Sequence, residues 1–278
     1  MPEIAHVSLT LWSKAENVLL VRQALSGLAE TIGLDPIELN DISTAVSEAC
    51  NNVVVHAYLG QEGPLEVEVF AAGEPLEVVV RDHGAGISPH ERDPEETIGG
   101  IGLPVIRALS DTVAFRDLED GGTEVRMTFV TAQASTLAPV AADGEATSAA
   151  APDSPGATSV TVGPAPLART VLPRILSALA ARAHFSTDRI SDTQLLADAL
   201  VAQAERSIDG GRLSMQIAVA PRDLQLRIGP LPRGLAGQVI EGTAVDGLGS
   251  LLERLTDGPE ISGEGSSEML GLRLSDHR

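Results

Sequence analysis

Lysine occurs once in this chain of 278 residues, at Lys14, and cysteine once, at Cys50. A single cysteine cannot close an internal disulfide. A lone lysine far from every glycine cluster excludes a phosphate-binding loop that depends on lysine. Aromatic residues make up 2% of the sequence, and Trp12, Tyr58 and four phenylalanines cannot form a stacking platform for nucleobases. No apolar run of about 18 residues and no signal-peptide pattern is present, so a soluble cytoplasmic protein without membrane contact is expected. Positive charge is scarce too. The 19 Lys and Arg against 39 Asp and Glu leave a formal charge of −20, which repels a phosphate backbone and disfavours direct nucleic-acid binding. Protein or small-molecule partners fit better.

What is present is 43% apolar residues, ample for buried cores, in a length that suits two ordinary domains. Between Val130 and Val160 the sequence is rich in Ala, Pro, Ser, Thr and Gly and lacks large apolar residues apart from Leu137. Such a composition cannot bury enough surface to offset ordering, so 131–159 reads as a flexible tether between a domain at 1–130 and another at 160–278.

The same layout occurs on both sides of the tether, offset by about 150 positions, as an internal duplication would leave it. VSLTL at Val7 to Leu11 faces VTV at Val160 to Val162, and LSGLA at Leu25 to Ala29 faces LSALA at Leu176 to Ala180. Asp35 before Pro36 predicts an N-cap with proline at the first helical position. Ile42, Ala45, Val46, Ala49 and Val53 then recur at helical spacing, with Cys50 beside them. Strict alternation follows: Leu65, Val67 and Val69 around Glu66 and Glu68, then Leu76, Val78 and Val80, which predicts two hairpin strands. Leu213 to Val219 and Leu224 to Ile228 repeat the pattern, and a short helix (Leu103 to Leu109; Leu251 to Leu255) and two closing strands complete each half. The predicted fold is an α/β sandwich of the α+β kind, a mostly antiparallel sheet with helices on one face, present in two tandem copies.

Four clusters in the first half carry chemistry: SEACNNVVVHAY at Ser47 to Tyr58, DHGAGI at Asp82 to Ile87, GGIGL at Gly99 to Leu103, and GGT at Gly121 to Thr123. Each alone is weak, since a lone glycine pair is most often a turn. Glu48 and Asn52 lie four apart and project from one helix face. A carboxylate takes a proton from a hydroxyl or orients a water, and an amide oxygen is a hard ligand suited to Mg²⁺. The competing reading is a solvated polar face, which the flanking apolar positions weaken. Asp82 ends a strand before a glycine turn, where a buried carboxylate accepts a hydrogen bond from an exocyclic amine such as that of adenine. It equally suits a turn-capping Asp. Gly84 and Gly86 would admit the base close to the backbone. Gly100 and Gly102 stand at a helix N-terminus, where free N–H groups favour phosphate.

Taken in this order, the clusters resemble the gyrase, heat-shock chaperone and histidine-kinase ATPase superfamily with its Bergerat fold, over about 125 residues. The nearest branch is the anti-sigma-factor serine/threonine kinases, because E-x-x-x-N runs on into V-V-V-H-A-Y and the D-x-G-x-G turn into a short lid. The resemblance implies Glu48 as catalytic base, Asn52 as the Mg²⁺ ligand and Asp82 as the adenine-recognising carboxylate. It implies Gly84 and Gly86 beneath the base, Gly100 and Gly102 at the phosphates, and Thr123 in support of Asp82. ATP and Mg²⁺ are the implied cofactors. The implied partners are a sigma factor and an anti-sigma-factor antagonist, with a homodimer or an intramolecular pseudo-dimer as the assembly. The lid, Ser88 to Ile98, is acidic and reads mainly as a solvated loop. His56 reads as a packing or hydrogen-bonding residue at the helix end, not as a phosphoacceptor.

The second half departs from the pattern. Asp198 stands against Glu48 but Ala202 replaces Asn52; a shift of one residue offers Gln203 for Asn52 and loses the acid. Pro230 falls where Asp82 should be, and only DGLGS at Asp246 to Ser250 keeps a glycine turn. Val160 to Leu274 is therefore expected to be a degenerate copy with an interaction or regulatory role. The alternative to a kinase is a non-catalytic ATP-binding regulator that acts through protein contacts. A sensor histidine kinase fits poorly, since no dimerisation helix with a phosphoacceptor histidine precedes the domain.

Overall fold

The structure, a computed structural model, describes residues 3–85, 102–133, 135–141, 156–207, 211–245, 249–263 and 265–276. The chain divides into two compact units, Met1–Ala146 and Thr147–Arg278. Among the described residues no helix is long and apolar enough to cross a membrane.

In the first unit, β1 (Glu3–Ile4), β2 (Val7–Trp12), α1 (Val18–Ile32) and α2 (Pro36–Asn52) lead through a π-helical turn at Val53–Ala57 into β3 (Pro64–Phe70), β4 (Ala72–Gly73) and β5 (Leu76–Asp82). Then come α3 (Gly102–Leu109), β6 (Thr112–Asp117), β7 (Thr123–Phe129) and two short strands, β8 (Ser135–Thr136) and β9 (Val140–Ala141). The main sheet runs in the order β2-β3-β5-β7-β6, every neighbouring pair antiparallel. Its two faces follow from the alternation. Leu65, Val67, Val69, Leu76, Val78 and Val80 are buried, with α2 against β5. The alternate positions carry a charge ladder in which Arg81 bonds Glu124 at 2.7 Å and Glu68 at 2.5 Å, and Arg126 pairs with Glu77.

Helix α2 starts where the sequence predicts. Asp35 accepts from the N–H of Ile37 and Glu38, and the Glu38 carboxylate accepts from the Asp35 N–H at 2.9 Å, a complete capping box with Pro36 at the first position. Its apolar stripe, Ile42, Ala45, Val46, Ala49 and Cys50, is buried.

The segment from 131 differs from a free tether over its first described residues. The Thr131 N–H donates to Glu74 and that of Ala132 to Glu38, while β8 pairs with β4 and β9 with β1. Buried His6 completes this attachment, its Nδ1 accepting from the Ala71 N–H at 3.1 Å and its Nε2 lying 3.0 Å from the Ala138 carbonyl. Backbone pairing asks little of side-chain bulk, which is why small polar residues can take part in it.

The second unit comprises β10 (Thr158–Val162), α4 (Ala165–Arg182), α5 (Thr187–Ser207), β11 (Leu213–Ala220), β12 (Asp223–Pro232), α6 (Leu235–Gly242), β13 (Ala244–Val245), β14 (Gly249–Ser250), α7 (Leu251–Leu255), β15 (Glu260–Ser262) and β16 (Ser267–Ser275). Its sheet runs β10-β11-β12-β16-β15, also antiparallel throughout, an order that corresponds strand for strand to that of the first unit. Two features depart from the sequence expectation. Helix α6 is additional, and Pro230 lies within β12 at a register shift between Ile228 and Leu231, a place where a sheet tolerates proline.

Candidate functional site

The site of the first unit is built on α2 and its π-helical continuation. One turn apart on α2, Glu48 and Asn52 are both half-buried and point at the first residue of α3. A Cβ on Gly102 would lie 3.1 Å from Glu48 Oε2 and 3.4 Å from Asn52 Oδ1, so the glycine lets both groups close on the helix N-terminus. Free N–H groups and the positive end of the helix dipole belong to such a terminus. A carboxylate, an amide oxygen and a helix N-terminus thus converge.

A second cluster forms where β5 ends. Asp82 is 4% exposed, and its carboxylate accepts from the Gly84 N–H at 2.9 Å and from the Thr123 N–H. Burial pushes the Asp82 carboxyl above the usual range, and those two N–H groups and the nearby His83 act against that rise. Thr123 opens β7 and meets Asp82 through its backbone. The glycines before it permit this, since a Cβ on Gly122, whose φ is +98°, would lie 2.0 Å from the Asp82 carbonyl oxygen. Asp82 and Thr123 therefore meet because two strand ends close on one another without an intervening side chain.

The two clusters are joined at the π-helical turn. Gly84 rests on the backbone of Ala57, with a Cβ position 2.0 Å from the Ala57 oxygen, and the Ala85 N–H donates to that oxygen at 2.9 Å. In this structure the missing Cβ of Gly84 serves contact with the protein's own helix end, where the sequence suggested room for a base. π-helical turns recur at functional sites, and this one presents consecutive residues to the Asp82 turn. His56 is exposed on the turn, which leaves the hydrogen-bonding and not the packing part of its expected role. Tyr58, which closes the V-V-V-H-A-Y run but had no role assigned from sequence, bridges the Pro64 carbonyl and the His83 N–H.

Gly86, Gly100 and the Ser88 to Ile98 segment lie outside the described residues. The structure thus brings Glu48, Asn52 and Gly102 together in one cluster and Asp82, Gly84 and Thr123 in another, the second resting on the π-helical continuation of the helix that carries the first.

In the second unit Asp198 is exposed, whereas Gln203 is 5% exposed and its amide donates to the carbonyl of Gly242 at the end of α6. The glutamine that a shifted alignment sets against Asn52 is committed to a structural hydrogen bond.

An antiparallel sheet backed by helices, with an acid and an amide on one helix and a buried Asp at a glycine turn, defines the class. The histidine kinase-like ATPase domain family matches residues 11–129, within the first unit. Among curated proteins, the chain is 35% identical over 129 residues to the serine-protein kinase RsbW of Bacillus licheniformis, spanning 42% of this chain and 79% of the relative. It is 38% identical over 135 residues to serine-protein kinase RsbW of Listeria innocua, covering 44% and 85%, and 31% identical over 130 residues to the anti-sigma F factor of Thermoanaerobacter sp., covering 44% and 91%. The chain belongs to the anti-sigma-factor serine-protein kinase family, whose members are ATP-dependent protein kinases.

Proposed function

We propose that this protein is a cytoplasmic anti-sigma factor that binds a sigma factor and, at the site on α2, phosphorylates a serine or threonine of an antagonist protein. The observation that carries the reading is the convergence of Glu48 and Asn52 on the N-terminus of α3, on the same helix whose end grips the Asp82 turn. ATP is the phosphoryl donor. Asp82 accepts a hydrogen bond from the exocyclic amine of adenine, and the N–H groups at the start of α3 face phosphate oxygens.

Asn52 offers one neutral, hard oxygen, which fits an ion that keeps waters and takes its other ligands from phosphate. Mg²⁺ held there supplies neutralisation of phosphate charge, which a chain with one lysine and a formal charge of −20 supplies poorly. Glu48 removes the proton of the substrate hydroxyl. The hydroxyl oxygen forms its bond to the γ-phosphorus as the bond from that phosphorus to the ADP oxygen breaks, and the proton remains on Glu48 until solvent takes it.

The second unit is a degenerate copy that binds no nucleotide and serves protein contact or regulation. What supports this is the matching strand order together with the engagement of Gln203 by α6 and the exposure of Asp198. The test of the kinase reading is transfer of label from γ-³²P-labelled ATP to an anti-sigma-factor antagonist protein, with Glu48→Ala beside wild type. Rapid transfer by wild type and loss of about 100-fold or more in the variant is the expected result. Equal rates would remove Glu48 from the mechanism.

A further inference from the structure

We propose that Tyr58 is a positioning residue for nucleotide selection, its phenol holding the Asp82–Ala85 turn in register with the helix that carries Glu48 and Asn52. This rests on the reading of Asp82 as the acceptor for adenine.

Three consecutive N–H groups of the turn are each committed to a fixed acceptor. The His83 N–H donates to Tyr58 Oη at 2.9 Å, that of Gly84 to Asp82 Oδ1 at 2.9 Å, and that of Ala85 to the Ala57 carbonyl at 2.9 Å. Two of those acceptors, Ala57 and Tyr58, are neighbours at the end of the π-helical turn, so the helix end clamps the turn on both sides of Gly84. The phenol is itself held. Its hydroxyl donates to the Pro64 carbonyl at 2.5 Å, and its ring lies against Gly63, where a Cβ would sit 2.2 Å from a ring carbon. Donor and acceptor capacity of the hydroxyl are both in use. Burial, opposed by the His83 N–H and helped by the negative charges of Asp82 and Glu66, raises the phenol above its ordinary value.

The hydroxyl thus ties the backbone of the residue after Asp82 to the start of β3, beside the His83 imidazole, whose Nε2 lies 3.0 Å from Glu66 Oε1 on the same strand. Removing it leaves the ring in its slot and the His83 N–H at the surface, where water replaces the lost acceptor. The fold then loses little, and the Asp82 turn keeps on that side only the exposed His83–Glu66 contact, so the carboxylate is held less firmly relative to the α2 cluster. The adenine contact weakens selectively.

The experiment is calorimetric titration of the full chain, with Mg²⁺ present, by ATP and by purine riboside triphosphate, which lacks the exocyclic amine. Wild type, Tyr58→Phe and Asp82→Asn are compared, with a thermal melt of each. The expected result for Tyr58→Phe is a weakening of ATP binding of about 3- to 10-fold, no change for the analogue, and a melting midpoint close to wild type. The ratio of the two affinities is read within each protein, so a general loss of stability does not move it. An unchanged ratio in Tyr58→Phe, with the ratio collapsed in Asp82→Asn, overturns the role of Tyr58 alone. An unchanged ratio in Asp82→Asn overturns the reading of Asp82 on which it stands.

Discussion

Replacing Gly84 by alanine adds one methyl group at the point where the Asp82 turn meets the helix end. The new Cβ would lie 2.0 Å from the Ala57 carbonyl oxygen and 2.6 Å from its carbon, both backbone atoms that cannot rotate away. The turn must retreat until that separation approaches ordinary contact, about 3.5 Å. A shift of that size stretches the Ala85 N–H bond to Ala57, now 2.9 Å, beyond useful range. Overpacking of this kind costs about 1–3 kcal/mol and the lost hydrogen bond about 0.5–1.5 kcal/mol, against a gain of about 0.4–1 kcal/mol from a stiffer unfolded chain. The net is roughly 0.5–4 kcal/mol, or about 2–15 °C in the melting of the first unit. Because Asp82 moves with the turn, ATP affinity should fall at least about tenfold in the same variant, on the scale of one charge-assisted hydrogen bond. Gly60→Ala is the control. Gly60 has φ +85° and nothing within 4 Å of its Cβ position, so alanine there costs about 1–2 kcal/mol of backbone strain and leaves ATP binding alone. The measurements are thermal melts by circular dichroism and ATP titration of both full-length variants. A Gly84→Ala protein that melts and binds ATP like wild type would refute the close packing on which the site depends.

Three further outcomes follow from the same geometry. Gly102→Ala places a methyl 3.1 Å from Glu48 Oε2, so phosphate transfer should slow by about tenfold or more while the melting midpoint shifts by only a few degrees, read by transfer assay and melt. Burial pushes the Cys50 thiol up to about 12, so iodoacetamide at neutral pH should label it only in denaturant, as mass spectrometry would register. The folded-state pKa of Asp82 is raised, so its contribution to apo stability is present below the unfolded value and is lost as pH rises through the folded one. Adenine recognition uses the ionised form and runs the opposite way. ATP affinity should therefore weaken as pH falls through the raised Asp82 pKa, and Asp82→Asn should abolish that dependence in titrations at a series of pH values.

Much of the fold was legible because its signals are local. Glu66 and Glu68 between Leu65, Val67 and Val69 specify a strand with one buried face, and Asp35-Pro36 with Glu38 specifies a helix start, whatever the rest of the chain does. The four-residue spacing of Glu48 and Asn52 likewise needs only a helix to place both on one face. What the sequence could not convey depends on contacts between distant segments. Nothing in D-H-G-A-G says that Gly84 must clear Ala57, 27 positions earlier, or that the His83 N–H finds a phenol there. Helix α6 was hidden because Gly229, Pro230, Pro232 and Gly234 read as turn residues and LAGQVIEG after them carries two further glycines. The attachment of 131–141 was hidden because its backbone pairing leaves no trace in composition.

The central claim is that one site, on α2 of the first unit, binds ATP through Asp82 and Asn52. It is tested most directly by calorimetric titration of the full chain with ATP in the presence of Mg²⁺. One ATP per chain is predicted, with binding reduced at least about tenfold by Asp82→Asn and by Asn52→Ala. Two ATP per chain, or wild-type affinity in both variants, would contradict it.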